Sequence, residues 1–213
     1  MSVSYRKLTY IFLSLILGYF TLCSSPSINN WQIRQFESAP SQLIFFGDSL
    51  TKGYGLKDLS KSFPERISQE MDLPFKRFGF SGYTTMGAIE KLKLLKNEEP
   101  SLLIITLGGN DILKSRTLNE TETSLREIFT YAQNYKHTLV FTEVLKVFDS
   151  DRHEMHIKLC REFGVLLIPD ILAGVVSKPE LMVDFIHPNE KGSAVISEKI
   201  LKILREHHFD RNL

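Results

Sequence analysis

"LIFFGDSLTKGYG", residues 43–55, drives four apolar residues straight into Gly-Asp-Ser and then places glycines at 53 and 55. A short, unbroken apolar run fits a buried strand, and Gly, Asp and Ser are the ordinary residues of the turn that ends one. Ser49 is therefore either a turn residue or a nucleophile set at the mouth of a strand. The rest of the chain decides between the two.

Downstream, apolar runs alternate with helical patterns. After "QLIFF" (42–46), the strands read as "FKRFGF" (75–80), "SLLIITLG" (101–108), "TLVFTEV" (138–144) and "VLLIP" (165–169). Between and after them, helices read over 63–71, 86–97, 121–135, 151–164 and 189–207, with Ile89, Leu92 and Leu95 sharing one face of the second. Strands that alternate with helices, and that are apolar throughout, belong to a parallel sheet covered on both faces. The expected fold class is α/β, a three-layer α/β/α sandwich around about five parallel strands. Ligands of such sheets sit beyond the carboxyl ends of the strands.

Composition narrows the partners. Among 213 residues, 26 basic side chains face 25 acidic ones, and no dense Lys/Arg stripe occurs, so a nucleic-acid partner is not expected. Two cysteines, Cys23 and Cys160, form neither a disulfide framework nor a zinc-spaced cluster. Cys160 reads as a small buried hydrophobe on a helix. Residues 1–23 differ from the rest: Arg6 and Lys7 precede a 15-residue apolar run that ends at Cys23. That is the order of an export signal, and the run is short for a membrane span. Three outcomes are open: a lipoprotein signal with Cys23 lipidated, an uncleaved anchor, or a cleaved signal. All three place the domain, residues 41–213, outside the cytoplasm at the cell envelope, with residues 24–40 as a tether to the membrane.

The polar residues of interest leave strand ends: Ser49 after the first, Gly82 in "FSGYTTMG" after the second, and Asn110 in "LGGND" after the third. Asp184 and His187 follow late, in "DFIHPNEKG". Each type fits a part of acyl transfer. A serine hydroxyl needs a base, which His187 can be, and the imidazole needs a carboxylate, which Asp184 can supply from three residues away. A tetrahedral oxyanion needs fixed neutral donors, and the N–H groups of Ser49 and Gly82 and the amide of Asn110 qualify. Taken singly, each is an ordinary turn, cap or loop residue; together, in this order, they form a constellation.

The blocks "FFGDSLTKGYG", "GFSGYTTMGAIEKL", "ITLGGNDIL" and "DFIHPNEKGSAVI" resemble those of the SGNH (GDSL) hydrolases, in the branch of arylesterases, lysophospholipases and multifunctional thioesterases. The resemblance spans nearly all of 42–205. It implies a flavodoxin-like fold, an acyl-serine intermediate, no metal and no cofactor. It also implies Ser49, Asp184 and His187 as catalytic residues, with Ser49, Gly82 and Asn110 as oxyanion donors. Lack of G-x-S-x-G sets the chain apart from ordinary α/β-hydrolases. In the second block Arg77 and Tyr83 replace the family's Asn and Asp, and Tyr83 is expected to narrow or gate the site. Leu145, Val147 and Phe148, after the fourth strand, are expected to contact substrate, with Val144, Val175 and Val176 nearby. The expected substrates are short to medium acyl or aryl esters, including lysophospholipids and thioesters. A carbohydrate O-deacetylase and a non-catalytic surface binding protein are the alternatives. Asp48 is read as bonding its own turn, Asp111 as a helix cap, Pro188 as the opening residue of the last helix, and His153 and His156 as a solvated helix face.

Overall fold

The computed structural model describes residues 28–36, 40–144 and 149–209. Two compact units divide the chain at Asn30/Trp31, and only residues 28–30 of the first are described. Cys23, the rest of the N-terminal segment, Leu145, Val147 and Phe148 lie outside the described residues.

Five parallel strands, β1 (Leu43–Gly47), β2 (Phe75–Gly79), β3 (Leu102–Thr106), β4 (Thr138–Thr142) and β5 (Leu166–Ile168), pair in the order β2-β1-β3-β4-β5. The expected α/β sandwich is present. Strands β1, β3 and β4 are buried from end to end, which is why their sequences are continuous apolar runs rather than alternating ones. β2 lies at an edge and carries Lys76 and Arg77, charges that blunt an open strand.

Helices α1 (Ser49–Lys52), α2 (Phe63–Met71), α3 (Thr85–Ile89), α4 (Gly109–Leu113), α5 (Leu118–Asn134), α6 (Ser150–Phe163) and α7 (Glu190–Glu206) connect and close the strands. One face of the sheet, through Leu43, Phe45, Ile104 and Val140, shares a core with Ile67 of α2 and Ile196, Ile200 and Leu204 of α7. On the opposite face Phe129 of α5 meets Phe141 edge-on, with ring centroids 5.8 Å apart. α5 is entered through a capping box: Thr117 accepts from the Glu120 N–H and Glu120 returns a bond to the Thr117 N–H.

Three expectations are corrected here. The helix expected over 86–97 breaks: α3 ends at Ile89 and a separate 3₁₀ turn, Leu92–Leu95, buries Leu92 and Leu95. Pro188 does not open the last helix; it bridges to Met182, and Asn189 caps α7 by accepting from the N–H groups of Lys191 and Gly192. Within the expected tether, residues 31–36 lie on the domain. The Trp31 indole donates to the Val165 carbonyl, the Arg34 N–H to the Gly164 carbonyl, and the Phe36 N–H to Thr138 Oγ1.

The strand order reverses between β1 and β3, and their carboxyl ends meet closely. A Cβ on Gly47 would stand 2.3 Å from the Thr106 carbonyl oxygen and 2.4 Å from Thr51 Oγ1. That carbonyl already accepts from the Asp48 N–H, so it is not free to move aside. Gly47→Ala is expected to lower the unfolding free energy by about 1–3 kcal/mol through overpacking. Urea denaturation of both proteins checks this, and an unchanged midpoint would contradict the close approach.

Candidate active site

The site is built at the reversal of the strand order, where a parallel sheet opens a crevice. β1 ends, Asp48 caps α1 by accepting from the Leu50 N–H at 2.9 Å, and Ser49 becomes the first residue of that one-turn helix. Gly53, in the left-handed conformation, ends the turn. Ser49 is thereby fixed at the mouth of β1, nearly buried but facing a cavity.

Asp184 and His187 form their half of the site on one tight turn. Asp184 Oδ1 accepts from the N–H groups of Ile186 (2.8 Å) and His187 (2.7 Å). The Val183 N–H donates to the His187 carbonyl at 2.7 Å. His187 Nδ1 lies 2.8 Å from Asp184 Oδ2, and Nε2 lies 2.9 Å from Ser49 Oγ. A carboxylate only accepts, so Nδ1 carries the proton and Nε2 is left to accept from the serine hydroxyl. The imidazole bond, aided by the two N–H groups, holds the Asp184 carboxyl down at about 2. Asp184 thus stays ionised through the neutral range, and its stabilising contribution, full above the ordinary value of 3.8, is lost as pH falls from there through about 2.

The three expected oxyanion donors also converge on the cavity, which Ser49, Gly82 and Asn110 all line. Gly82 has φ +78°, open space where a Cβ would be, and a carbonyl fixed by the Lys114 ammonium at 2.7 Å. The Ser49 N–H is the first of α1 and has no acceptor within the helix. Asn110 Nδ2 donates to Asp48 Oδ2 (3.1 Å) and to the Tyr83 carbonyl (3.0 Å). Serving an oxyanion requires Asn110 to share or release one of these bonds.

The cavity, about 380 Å³, has a mainly apolar wall: Leu50, Tyr54, Ile112, Leu113, Val144, Leu172, Val176, Phe185 and Ile186. Val144 and Val176 were expected there, whereas Val175 is buried beside it in the core. Tyr83 is a correction. Its ring stacks on Phe80, centroids 5.3 Å apart, and its hydroxyl donates to Glu90 at 2.9 Å, so it does not line the cavity. Only its carbonyl reaches the site. Arg77, the other substitution in that block, donates to Ser62 and pairs with Glu65, joining β2 to the start of α2. Sequence reasoning missed Tyr54, Phe185 and Ile186. The last two stand between Asp184 and His187, a position that was itself the available signal.

Two further readings change. Asp111 does not cap its own helix: it is buried and accepts from the Thr85 N–H (2.8 Å) and Thr85 Oγ1 (2.6 Å), tying α4 to α3. His153 and His156 are not a solvated face. His156 is wholly buried, and Nδ1 of each histidine donates to the buried Glu143 carboxylate, at 2.8 Å for His156 and 2.9 Å for His153. Burial alone would raise Glu143, but the two imidazoles hold it below the usual carboxylate range. Among the described residues no group of three His, Cys, Asp or Glu side chains could hold a metal ion, and no helix is long and apolar enough to cross a membrane.

A model of the GDSL-like lipase/acylhydrolase family matches residues 45–195, a span that holds Ser49, Gly82, Asn110, Asp184 and His187. The chain belongs to this family. The acylhydrolase is 29% identical over 178 residues to thioesterase 1/protease 1/lysophospholipase L1 of Escherichia coli strain K12, covering 79% of this chain and 85% of the relative. It is 26% identical over 182 residues to an arylesterase of Vibrio mimicus, covering 79% and 90%. In fold it is similar to the psychrotrophic esterase EstA of Pseudoalteromonas sp., with TM-score 0.69, 21% identity, and 78% and 98% of the two chains covered. The expected family, α/β fold and ester-hydrolysing enzyme class are borne out.

Asp48 gives the site a titration of its own. Burial raises its carboxyl from 3.8 to about 7, against the opposing pull of the Leu50 N–H, the His187 charge and the Asn110 amide. Across that window the folded acylhydrolase keeps a proton that the unfolded chain has released, so this group's effect is to lower stability as pH rises from about 4 to about 7. Asp48→Asn is expected to remove that decline. Urea denaturation at about pH 5 and about pH 8 checks it: wild type should lose more stability between the two than the variant does.

Proposed function

We propose that Ser49 is the nucleophile of this acylhydrolase, His187 its general base and acid, and Asp184 the group that fixes the imidazole's tautomer and stabilises the imidazolium. The observation that carries the reading is the unbroken chain of contacts from Asp184 Oδ2 through His187 to Ser49 Oγ, at 2.8 and 2.9 Å. Ser49 Oγ attacks the ester carbonyl as Nε2 takes its proton. The oxyanion is received by the N–H groups of Ser49 and Gly82 and by Asn110, whose amide turns one bond away from Asp48 or Tyr83. Each such donor contributes roughly 2.7–4 kcal/mol to lowering the barrier. His187 then gives the proton to the leaving alcohol, and water, activated by the same imidazole, releases the acyl group from Ser49.

Short to medium acyl chains suit a cavity of this size with an apolar wall, which favours them over an acetylated glycan. Residues 41–213 form the catalytic domain in this reading. The charge-then-apolar order of residues 6–23 supports export to the cell envelope, by anchor or by lipidated Cys23.

A fluorophosphonate probe should label Ser49 in the wild type and leave Ser49→Ala unlabelled. The same substitution should cut kcat on p-nitrophenyl butyrate by roughly 10³ or more. Folded wild-type protein that takes up no probe would remove the nucleophile assignment.

A further inference from the structure

Acyl transfer has a direction, and the imidazole sets it. His187 delivers its proton to the departing oxygen, so the alcohol half of a bound ester must lie on the His187 side of the cavity. Two loops build that side. Tyr54, from the loop after α1, sets its ring 4.5 Å from the imidazole, centroid to centroid. Phe185 and Ile186 occupy the turn between Asp184 and His187. The loops pack together, since a Cβ on Gly55 would touch Val183 at 3.0 Å.

Phe185 is 98% exposed and borders the cavity. Its backbone is not free to carry it elsewhere, because Asp184 Oδ1 holds the next two N–H groups. A phenyl ring kept in water beside a catalytic imidazole adds nothing to the packing of the fold. It is not isolated either: Tyr54, Leu113, Val176 and Ile186, also exposed, border the same cavity. Apolar surface gathered at one mouth marks a place where an apolar partner is received. Among the described residues, those lining the cavity include no Lys or Arg. Lys114 is tied to the Gly82 carbonyl, on the oxyanion side. Among the described residues lining the cavity, a leaving group that carries phosphate meets no cation.

We propose that Tyr54 and Phe185 form an aromatic leaving-group subsite that selects esters of aryl alcohols over esters whose leaving group bears a phosphate. The proposal rests on the acyl-serine reading above. In the step concerned, the bond between the acyl carbon and the aryl oxygen breaks, the aryl oxygen takes the proton from His187 Nε2, and the acyl group stays on Ser49 Oγ. Phe185 closes on the departing ring at small entropic cost, because its side chain has only two rotatable bonds.

Three butyrate esters share one acyl group and test the subsite: 1-naphthyl butyrate, ethyl butyrate and 1-butyryl-glycero-3-phosphocholine. Comparing each variant with wild type on the same ester cancels the intrinsic reactivity of the leaving group. Phe185→Ala should lose about tenfold more kcat/KM on the naphthyl ester than on the ethyl ester, mostly through KM. Phe185→Tyr should keep the aryl preference, which a merely structural role for residue 185 would not explain. Equal losses on both esters, or a wild-type preference for the phosphocholine ester, overturn the subsite. If wild type is labelled at Ser49 yet shows no aryl preference, the subsite falls and the acyl-serine chemistry stands. If it takes no label, both fall.

Discussion

One buried carboxyl, Asp48, joins the two halves of the strand-end crevice. Its Oδ1 starts the helix that presents Ser49, and its Oδ2 receives the amide of Asn110 from the other side of the strand reversal. Gly47 makes this possible, because the absence of a Cβ lets β1 run against the Thr106 carbonyl and places residue 48 beneath both loops. With the carboxyl protonated, the helix cap and the amide contact survive without a charge in the interior. With it ionised, the desolvation cost is offset only in part by the two donors and by the imidazolium above. Ser49, Asn110 and His187 therefore share one electrostatic neighbour.

A second buried carboxylate does comparable work away from the chemistry. Glu143 follows β4, takes two imidazoles from α6, and accepts from the Asp170 N–H with Oε2, while its carbonyl receives the Ile171 N–H. The segments it ties together are those that bring Val144 and Leu172 to the cavity wall. Paired and hydrogen-bonded in this way, a carboxylate can remain in the core.

What sequence could reveal follows from what is local. Strands buried on both faces must be apolar throughout, so β1, β3 and β4 were legible, and with them the parallel sheet. The order Ser49, Gly82, Asn110, Asp184, His187 was legible because each residue is tied to a strand end or to a turn of its own. Side-chain direction was not. Tyr83 points to Glu90 because Phe80 offers a stacking partner. His156 is buried because Glu143, thirteen residues earlier, points into the same helix face. Asp111 serves Thr85 across a tertiary contact. The break in the helix expected over 86–97 has no Gly or Pro at its point of interruption to announce it. Exposure of Phe185 is also a property of the assembled surface, although its place inside the Asp-x-x-His spacing could have drawn notice.

The turn from Val183 to His187 is self-contained: carboxylate, imidazole and the backbone bonds that orient them span five consecutive residues. The contact with Ser49 instead crosses 138 residues of sequence. A ribosome thus makes Ser49 early and His187 near the end. A nascent chain carries a serine without a proton acceptor until the last strand and the turn beyond it have emerged. That contact forms late, once both ends of the domain are present to close on each other.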